Sequence, residues 1–260
     1  MTRLGTTVAL VVLVVLAGCG GGAGPDGTAT PTETATPTAT PTPTATSAGD
    51  GTVTYPAGWS DAGVTDAQSA LESHYRAVLT GPSATVQYRS RIIRAESDGA
   101  ANTTMDMRLD TGDRRLYARI DGTERTREVF FADGTFRQWS VRNETVVGRA
   151  NTTFVRVSQS IDNGVLRSQL LTYRLELNET VTRGGSTALV YDVIGVYDNT
   201  RSGTYGTATS ASGRVVVSER GRVIDIQTTV TYTEGEVAYQ YSQTRIGETD
   251  VPTPEWRREA

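Results

Sequence analysis

Met105-Asp106-Met107-Arg108-Leu109 and Leu116-Tyr117-Ala118-Arg119-Ile120-Asp121-Gly122 alternate apolar and polar residues with a period of two. In a strand that period puts one residue set on each face, so one face is buried and the other meets water. Asp121-Gly122 then supplies the positive-φ residues that a tight antiparallel turn needs. Asp133-Gly134 repeats the signal between Glu128–Ala132 and Thr135–Val141. Short hairpins of this kind imply antiparallel pairing, because a parallel crossover needs a dozen or more residues.

The same pattern runs outward in both directions. Val86, Tyr88 and Ile92 alternate with polar partners before it. Strand-like runs follow at Phe154–Val157, Leu175–Val181, Ala188–Val196, Gly213–Glu219, Val223–Thr233 and Val237–Ile246. Asn163-Gly164 reads as a further turn dipeptide. Two segments break to helical spacing. Ala67, Ala70, Leu71, His74 and Val78 recur every three or four residues, after a capping-box pair at Thr65 and Gln68 and before Gly81-Pro82. Val165, Leu166, Gln169, Leu170 and Tyr173 predict a short second helix. The order predicts a single α+β domain over 55–256, with a long, curved antiparallel sheet of ten or eleven strands and two helices, and a tail at 257–260.

Some strands are apolar on both faces: Phe130 beside Phe131, Leu189-Val190-Tyr191 with Val193-Ile194, and Val215-Val216-Val217. A one-sided sheet would keep the outward positions polar. The second face is therefore covered, or it lines a cavity. Two helices are little cover for so many strands, which points to an apolar groove.

Upstream of the domain the chain changes character. A single Arg3 precedes an uncharged run from Leu4 to Leu16, then Ala17-Gly18-Cys19. The run is too short to cross a bilayer, which takes roughly 20 apolar residues. It reads as a signal peptide over 1–18 whose cleavage exposes Cys19 for lipid attachment. No Arg-Arg pair precedes it, so the Tat route lacks its usual mark. Residues 19–54 form a linker of Ala-Thr-Pro-Thr repeats that has nothing to bury, an extended stalk of up to ~100 Å. The expected location is the cell membrane, lipid-anchored through Cys19, with the domain on the extracellular face.

Composition narrows the function classes. The chain has 260 residues, one cysteine and one histidine, with a net charge of −4. Once Cys19 serves the anchor, no disulfide or thiolate site remains. There is no lysine, and no basic face for nucleic acid, so nucleic acid is not an expected partner. His74 has no nucleophile or orienting acid at recognisable spacing, and reads as a half-buried structural histidine. Gly58-Trp59-Ser60-Asp61-Ala62-Gly63 misses the Gly-x-Ser-x-Gly elbow by one residue and follows no strand; Trp59 reads as an aromatic plug at the domain edge. No calcium loop, metal-ligand cluster or phosphate-cradling loop appears, so no catalytic residue, metal or cofactor is expected and the protein reads as a non-enzyme. Four Asn-x-Thr sequons, at Asn102, Asn143, Asn151 and Asn178, are candidate glycosylation sites near expected turns or strand ends.

The lysine-free, Asp-, Glu- and Thr-rich composition resembles exported proteins of halophilic archaea, although a GC-rich genome also favours arginine codons. The Leu16-Ala17-Gly18-Cys19 quartet, the stalk, the Tyr55-Pro56-x-Gly58-Trp59-Ser60 entry and the helix after Thr65 resemble a family of halophilic archaeal lipoproteins. The strand and helix order is similar to LolA/LolB-type lipoprotein carriers and LprG/LppX-type mycobacterial lipoproteins. That resemblance implies a LolA/LprG-like fold, a strongly curved antiparallel half-barrel wrapped round two or so helices, with an apolar cavity for acyl chains and a lipid or other apolar ligand. The alternative is a surface-interaction or envelope module with a solid core.

Overall fold

The computed structural model describes residues 53–94, 100–183, 186–198, 200–202 and 204–259. The expected signal peptide, Cys19 and the linker up to residue 52 lie outside the described residues.

A short hairpin, β1 (Trp59–Ser60) and β2 (Gly63–Val64), leads into helix α1 (Ala67–Leu79). Six strands follow as a meander: β3 (Ala84–Arg94), β4 (Ala100–Asp110), β5 (Arg115–Asp121), β6 (Thr126–Ala132), β7 (Thr135–Ser140) and β8 (Thr145–Asn151). Helix α2 (Phe154–Leu170) then returns the chain to the far edge. There β9 (Tyr173–Arg183), β10 (Ser186–Val196), the two-residue β11 (Arg201–Ser202), β12 (Gly206–Ser218), β13 (Val223–Tyr232) and β14 (Gly235–Thr244) complete the sheet.

The path is β8-β7-β6-β5-β4-β3-β14-β13-β12-β10-β9, antiparallel throughout, with β11 beside β12. The first and second meanders meet where β14 pairs with β3. Eleven strands in the path, open at β8 and β9, wrap the two helices as the expected half-barrel.

Local chemistry explains the boundaries. Asp66, rather than Thr65, caps α1: its Oδ1 accepts the Ser69 N–H at 2.9 Å. Gly58, at φ 83°, passes so close to α1 that a Cβ would lie 2.3 Å from the Ala70 nitrogen. Asp133 and Gly134, with φ of 52° and 70°, turn β6 into β7 as their sequence requires.

The second helix differs most from expectation. Phe154–Val157 is its first turn and not a strand, and Asn163-Gly164 lies inside it and not at a turn. Thr153 caps it, accepting the Arg156 N–H at 3.3 Å. Phe154, Ser158, Asp162, Leu166 and Leu170, each four residues from the next and all buried, share one helical stripe, with Val157 buried at its border. A four-residue apolar run has no periodicity to tell helix from strand. An interior glycine costs only ~1 kcal/mol, which that stripe offsets. On the other side of the sheet, β12 begins seven residues before the expected Gly213.

The two-faced apolar strands have a different cause from the one expected. On β6, Phe131 faces the helices while Phe130 is buried outside with Ala132, Val251 and Trp256. The cover is the C-terminal segment, which folds back across β5, β6 and β7. Trp256 stacks on Trp139 with ring centres 5.5 Å apart and planes 5° from parallel. Its indole N–H donates to Glu128 Oε2 at 2.6 Å. The Arg257 guanidinium sits 5.2 Å over the Phe130 ring and 2.9 Å from the Asp133 carboxylate. Arg257 is therefore docked, and the 3₁₀ turn Glu255–Glu259 extends structure into the expected tail. On β10 and β12, Ala188, Val190 and Val216 pack on one another outside, and Leu189, Tyr191, Val215 and Val217 face inward.

This strap gives a direct test. Trp256→Ala removes the stacked ring and uncovers Phe130, so it should cost about 3 kcal/mol, the lower end for truncating a buried aromatic. Urea unfolding measures the loss; Ile246→Ala, at an exposed position just after β14, should change stability by less than about 0.5 kcal/mol.

Candidate functional site

The strand register sorts the inner-facing side chains into rows. Phe136, Phe131, Leu116, Leu109 and Ala84 form the first. Gln138, Val129, Ala118, Met107, Val86 and Gln243 form the next. The third contains Ile120, Met105, Tyr88, Tyr241, Ile226, Val215 and Tyr191, three of them tyrosines. Trp59 closes on this row with its ring centre 5.1 Å from that of Tyr191. It is 5% exposed, part of the main core and not an edge plug.

Beneath α1 and α2 lies a connected set of buried polar groups. His74 on α1 is 0% exposed, where a half-buried residue was expected. Its Nδ1 accepts the Val223 backbone N–H at 3.0 Å, so Nε2 carries the proton and donates to Asp162 Oδ2 at 3.0 Å. The Tyr241 hydroxyl donates to the same oxygen at 3.3 Å and accepts from Gln243 Nε2 at 2.7 Å. Gln243 Oε1 in turn accepts from Arg222 Nε. Five side chains from α1, α2, β14 and the β12–β13 turn are thus in series. Burial lowers the Arg222 pKa, against the raising pull of Tyr241 and Asp162. Burial also holds the Tyr241 phenol well above its ordinary value, with Asp162 adding to the effect. The carboxylate partner of His74 lies 88 positions along the chain, beyond any motif spacing. The pair carries no exposed nucleophile, and both ring nitrogens are committed to structural bonds.

Toward the other end of the strands the interior changes. The fourth row, Thr103, Ser90, Tyr239, Thr228 and Gly213, is small and polar around one tyrosine. Tyr173, from the start of β9, reaches into it, bonding Thr228 Oγ1 at 2.6 Å and Gln169 of α2. Gly213 has φ 130°, and a Cβ there would lie 2.0 Å from the Gln227 carbonyl oxygen. In the fifth row Val230 and Val237 stay buried, but Ile92, Ala101 and Ala211 are only half-buried. Tyr205, before β12, folds against Tyr232 with ring centres 5.7 Å apart, under the Arg94 guanidinium at 6.0 Å. Ile120, Ile161, Val165, Val196 and Tyr239 are also half-buried against the core. This end is apolar and tyrosine-rich yet incompletely covered, and it is the candidate ligand site. Burial raises the Tyr88, Tyr173, Tyr232 and Tyr239 phenols above their ordinary value, and neighbouring tyrosines add to the rise.

The glycosylation candidates are separated. Asn143 lies in the exposed β7–β8 turn and Asn151 ends β8. Asn102 and Asn178 lie within strands, not at turns. Asn178 is the extra residue of a bulge on edge strand β9, between Leu177 and Glu179, which pair with Tyr191 and Val190. All four are exposed. Among the described residues no three His, Cys, Asp or Glu side chains gather as a metal site, and no helix is long and apolar enough to cross a membrane.

The architecture defines an open antiparallel half-barrel holding two helices, with an incompletely covered apolar end. The chain belongs to DUF7537, a family of unknown function whose model matches residues 4–260. No curated protein matches the sequence. Solved structures similar to it include LprF from Mycobacterium bovis, at 10% identity and a TM-score of 0.35, covering 73% of this chain and 96% of that one. A LolA superfamily protein from Nitrosomonas europaea is 14% identical at a TM-score of 0.29, covering 73% and 96%. The Mycobacterium tuberculosis lipoprotein LppX is 12% identical at 0.32, covering 72% and 98%.

Two outcomes follow from this interior. Asp162→Ala strands the His74 N–H and the Tyr241 hydroxyl in a dry core and should cost at least about 3 kcal/mol in denaturant unfolding. The tyrosines set the alkaline limit. A folded-state pKa above the unfolded value of 10.0 means stability is intact below pH 10 and declines as pH rises through the folded values. Tyr117, pushed up to about 12 by burial and then by Glu128, should ionise within the folded protein. Tyr173 and Tyr241 should ionise only on unfolding, which tyrosinate absorbance followed alongside circular dichroism will separate.

Proposed function

We propose that this protein is a cell-envelope lipoprotein, tethered through Cys19, whose domain holds a lipid or other apolar ligand at the open end of the half-barrel. The observation that carries the reading is the gradient of burial along the inner face. Rows under α1 are sealed, whereas Ile92, Ile120, Ile161, Val165 and Tyr239 stay half-buried around the other end. Ligand sites are concave and mostly apolar with a few polar groups, and here tyrosine hydroxyls and Gln169 supply the polar part. The Leu16-Ala17-Gly18-Cys19 quartet and the Thr/Pro stalk support tethering on the extracellular face. Binding rather than catalysis is favoured because the one histidine is spent on structural bonds.

A second reading has its own support. Apart from the half-buried Gln138 and Ile120 at their β7 and β5 ends, the first three inner rows are filled by buried side chains, as a solid-cored surface module would require. Native mass spectrometry of the full chain, followed by organic extraction, separates the two. The carrier reading expects a co-purifying lipid and binding of a fluorescent fatty acid. Ile92→Asp should weaken that binding at least about tenfold, an effect of ~1.4 kcal/mol or more. A ligand-free mass together with no uptake of the fatty acid would leave the surface module.

A further inference from the structure

The sheet path ends at β8 on one side and β9 on the other, and these two free edges carry the same tetrapeptide. Asn143-Glu144-Thr145-Val146 leads into β8, and Asn178-Glu179-Thr180-Val181 lies in β9. Each copy opens with an Asn-x-Thr sequon. An edge strand presents a row of unpaired N–H and C=O groups, on which a second chain can add a strand.

Both edges have the composition of a pairing template. None of the seven residues of β8 is buried, and it begins with the β-branched Thr145-Val146-Val147, of which Val147 is 52% exposed. On β9 the first half is covered by the β1–β2 hairpin. The Leu177 N–H donates to the Asp61 carbonyl at 2.7 Å, and Gly63 packs against Leu175. That cover stops at Leu177, and the next residue is Asn178. Beyond it Thr180-Val181-Thr182 is again β-branched. Lysine and proline, which commonly guard an edge, are missing: the chain has no lysine and neither strand has a proline. Each edge has a bulge, at Val147 and at Asn178, which interrupts pairing at one point only. The charges left are Arg149 on β8 and Glu179 and Arg183 on the open part of β9, and mixed signs do not repel a second copy.

We infer that Asn143 and Asn178 are N-glycosylated, and that the two glycans keep β8 and β9 from pairing with the edges of further copies of this chain. In the transfer, the asparagine Nδ2 bonds to the anomeric carbon of an oligosaccharide carried on a polyprenyl phosphate. The anomeric C–O bond breaks, the phosphate leaves with its electron pair, and Nδ2 gives up one proton. Both asparagines are exposed, and Asn178 is the unpaired residue of its bulge, so a bulky sugar there displaces no ladder partner. The other two sequons are placed differently. Asn102 lies on β4, paired on both sides by β3 and β5, and guards no edge. Thr153, the third position of the Asn151 sequon, is already the cap of α2. The inference rests on the export of the chain read from Leu16-Ala17-Gly18-Cys19, and is independent of the apolar site.

The test compares the full chain from its native host with an Asn143→Gln, Asn178→Gln double variant and with Asn102→Gln as a control. Glycopeptide mass spectrometry should find sugar on both Asn143 and Asn178. In detergent solution, sedimentation should show the native chain and the Asn102→Gln variant as monomers, while the double variant self-associates at least about tenfold more tightly with its circular dichroism retained. Hydrogen exchange locates the contact: backbone amides of 145–151 and 178–183 in the double variant should slow as protein concentration rises. The unsubstituted chain from a host without N-glycosylation should match the double variant, which separates loss of the sugar from the substitution itself. A bare asparagine at either position, on a chain processed to a lipidated Cys19, overturns this proposal and leaves the envelope reading standing. A chain that retains residues 1–18 overturns both. Glycans whose removal leaves the protein monomeric, with exchange at the two edges unchanged, overturn the guarding role.

Discussion

A carboxylate in the middle of α2 ties the parts of this domain together. Asp162 is 3% exposed, and its Oδ2 receives both the His74 imidazole and the Tyr241 hydroxyl. A buried carboxylate is tolerated only where donors replace the water it has lost. Both donors, from α1 and from β14, meet Oδ2, while the buried Oδ1 has no hydrogen-bond partner among the described residues, and the series continues through Gln243 to Arg222. Satisfying Asp162 therefore sets where each helix lies on the sheet and how they lie against each other. Apolar contacts alone would permit small slips along the sheet; directional bonds to a dry carboxylate permit few.

That constraint governs one end of the domain and leaves the other freer. Near the network the interior rows are filled by Met107, Leu109, Leu116, Tyr241 and the α1 stripe. Further along, the rows turn to small residues, and Gly213 brings two backbones too close for any side chain. The space is occupied by tyrosines entering from β9, β14 and the turn before β12, held by one another and by Gln169. Rings with a polar tip fill a half-open space well, because their bodies pack while their hydroxyls find partners at the edge. An end built in this way is ordered without being sealed, which is what a site for a partly apolar ligand requires.

The outer face shows the sheet solving two problems differently. Over β5, β6 and β7 the C-terminal segment covers Phe130 and Ala132, and Trp256 on Trp139 makes this small second core. Over β14, β3, β4 and β5 the outward positions are mixed, with arginine, glutamine, asparagine and threonine standing beside Ala238 and the exposed Ile93. One sheet thus offers an apolar concave end and a mixed outer face on which Arg89 and Arg91 stand near Asp106 and Asp121.

The sheet, its antiparallel pairing and the first helix were legible in the sequence, and the half-barrel followed from the resemblance to LolA- and LprG-type proteins. The legible features rest on local period, hairpin dipeptides such as Asp133-Gly134, and the spacing of Ala70, Leu71, His74 and Val78. The sequence did not reveal α2 at full length, because Phe154–Val157 is too short to show a period and Asn163-Gly164 reads as a turn when taken alone. Nor could it say which of Phe130 and Phe131 faced inward, or that Trp256 would cover the other. Alternation states that two faces exist and not what lies on them. The pairing of His74 with Asp162, and the register that sets Asn102 opposite Arg91, depend on how the chain folds back on itself. In each case residues distant along the chain meet only because strands fall into register and helices fold onto them, and no local pattern encodes such a meeting.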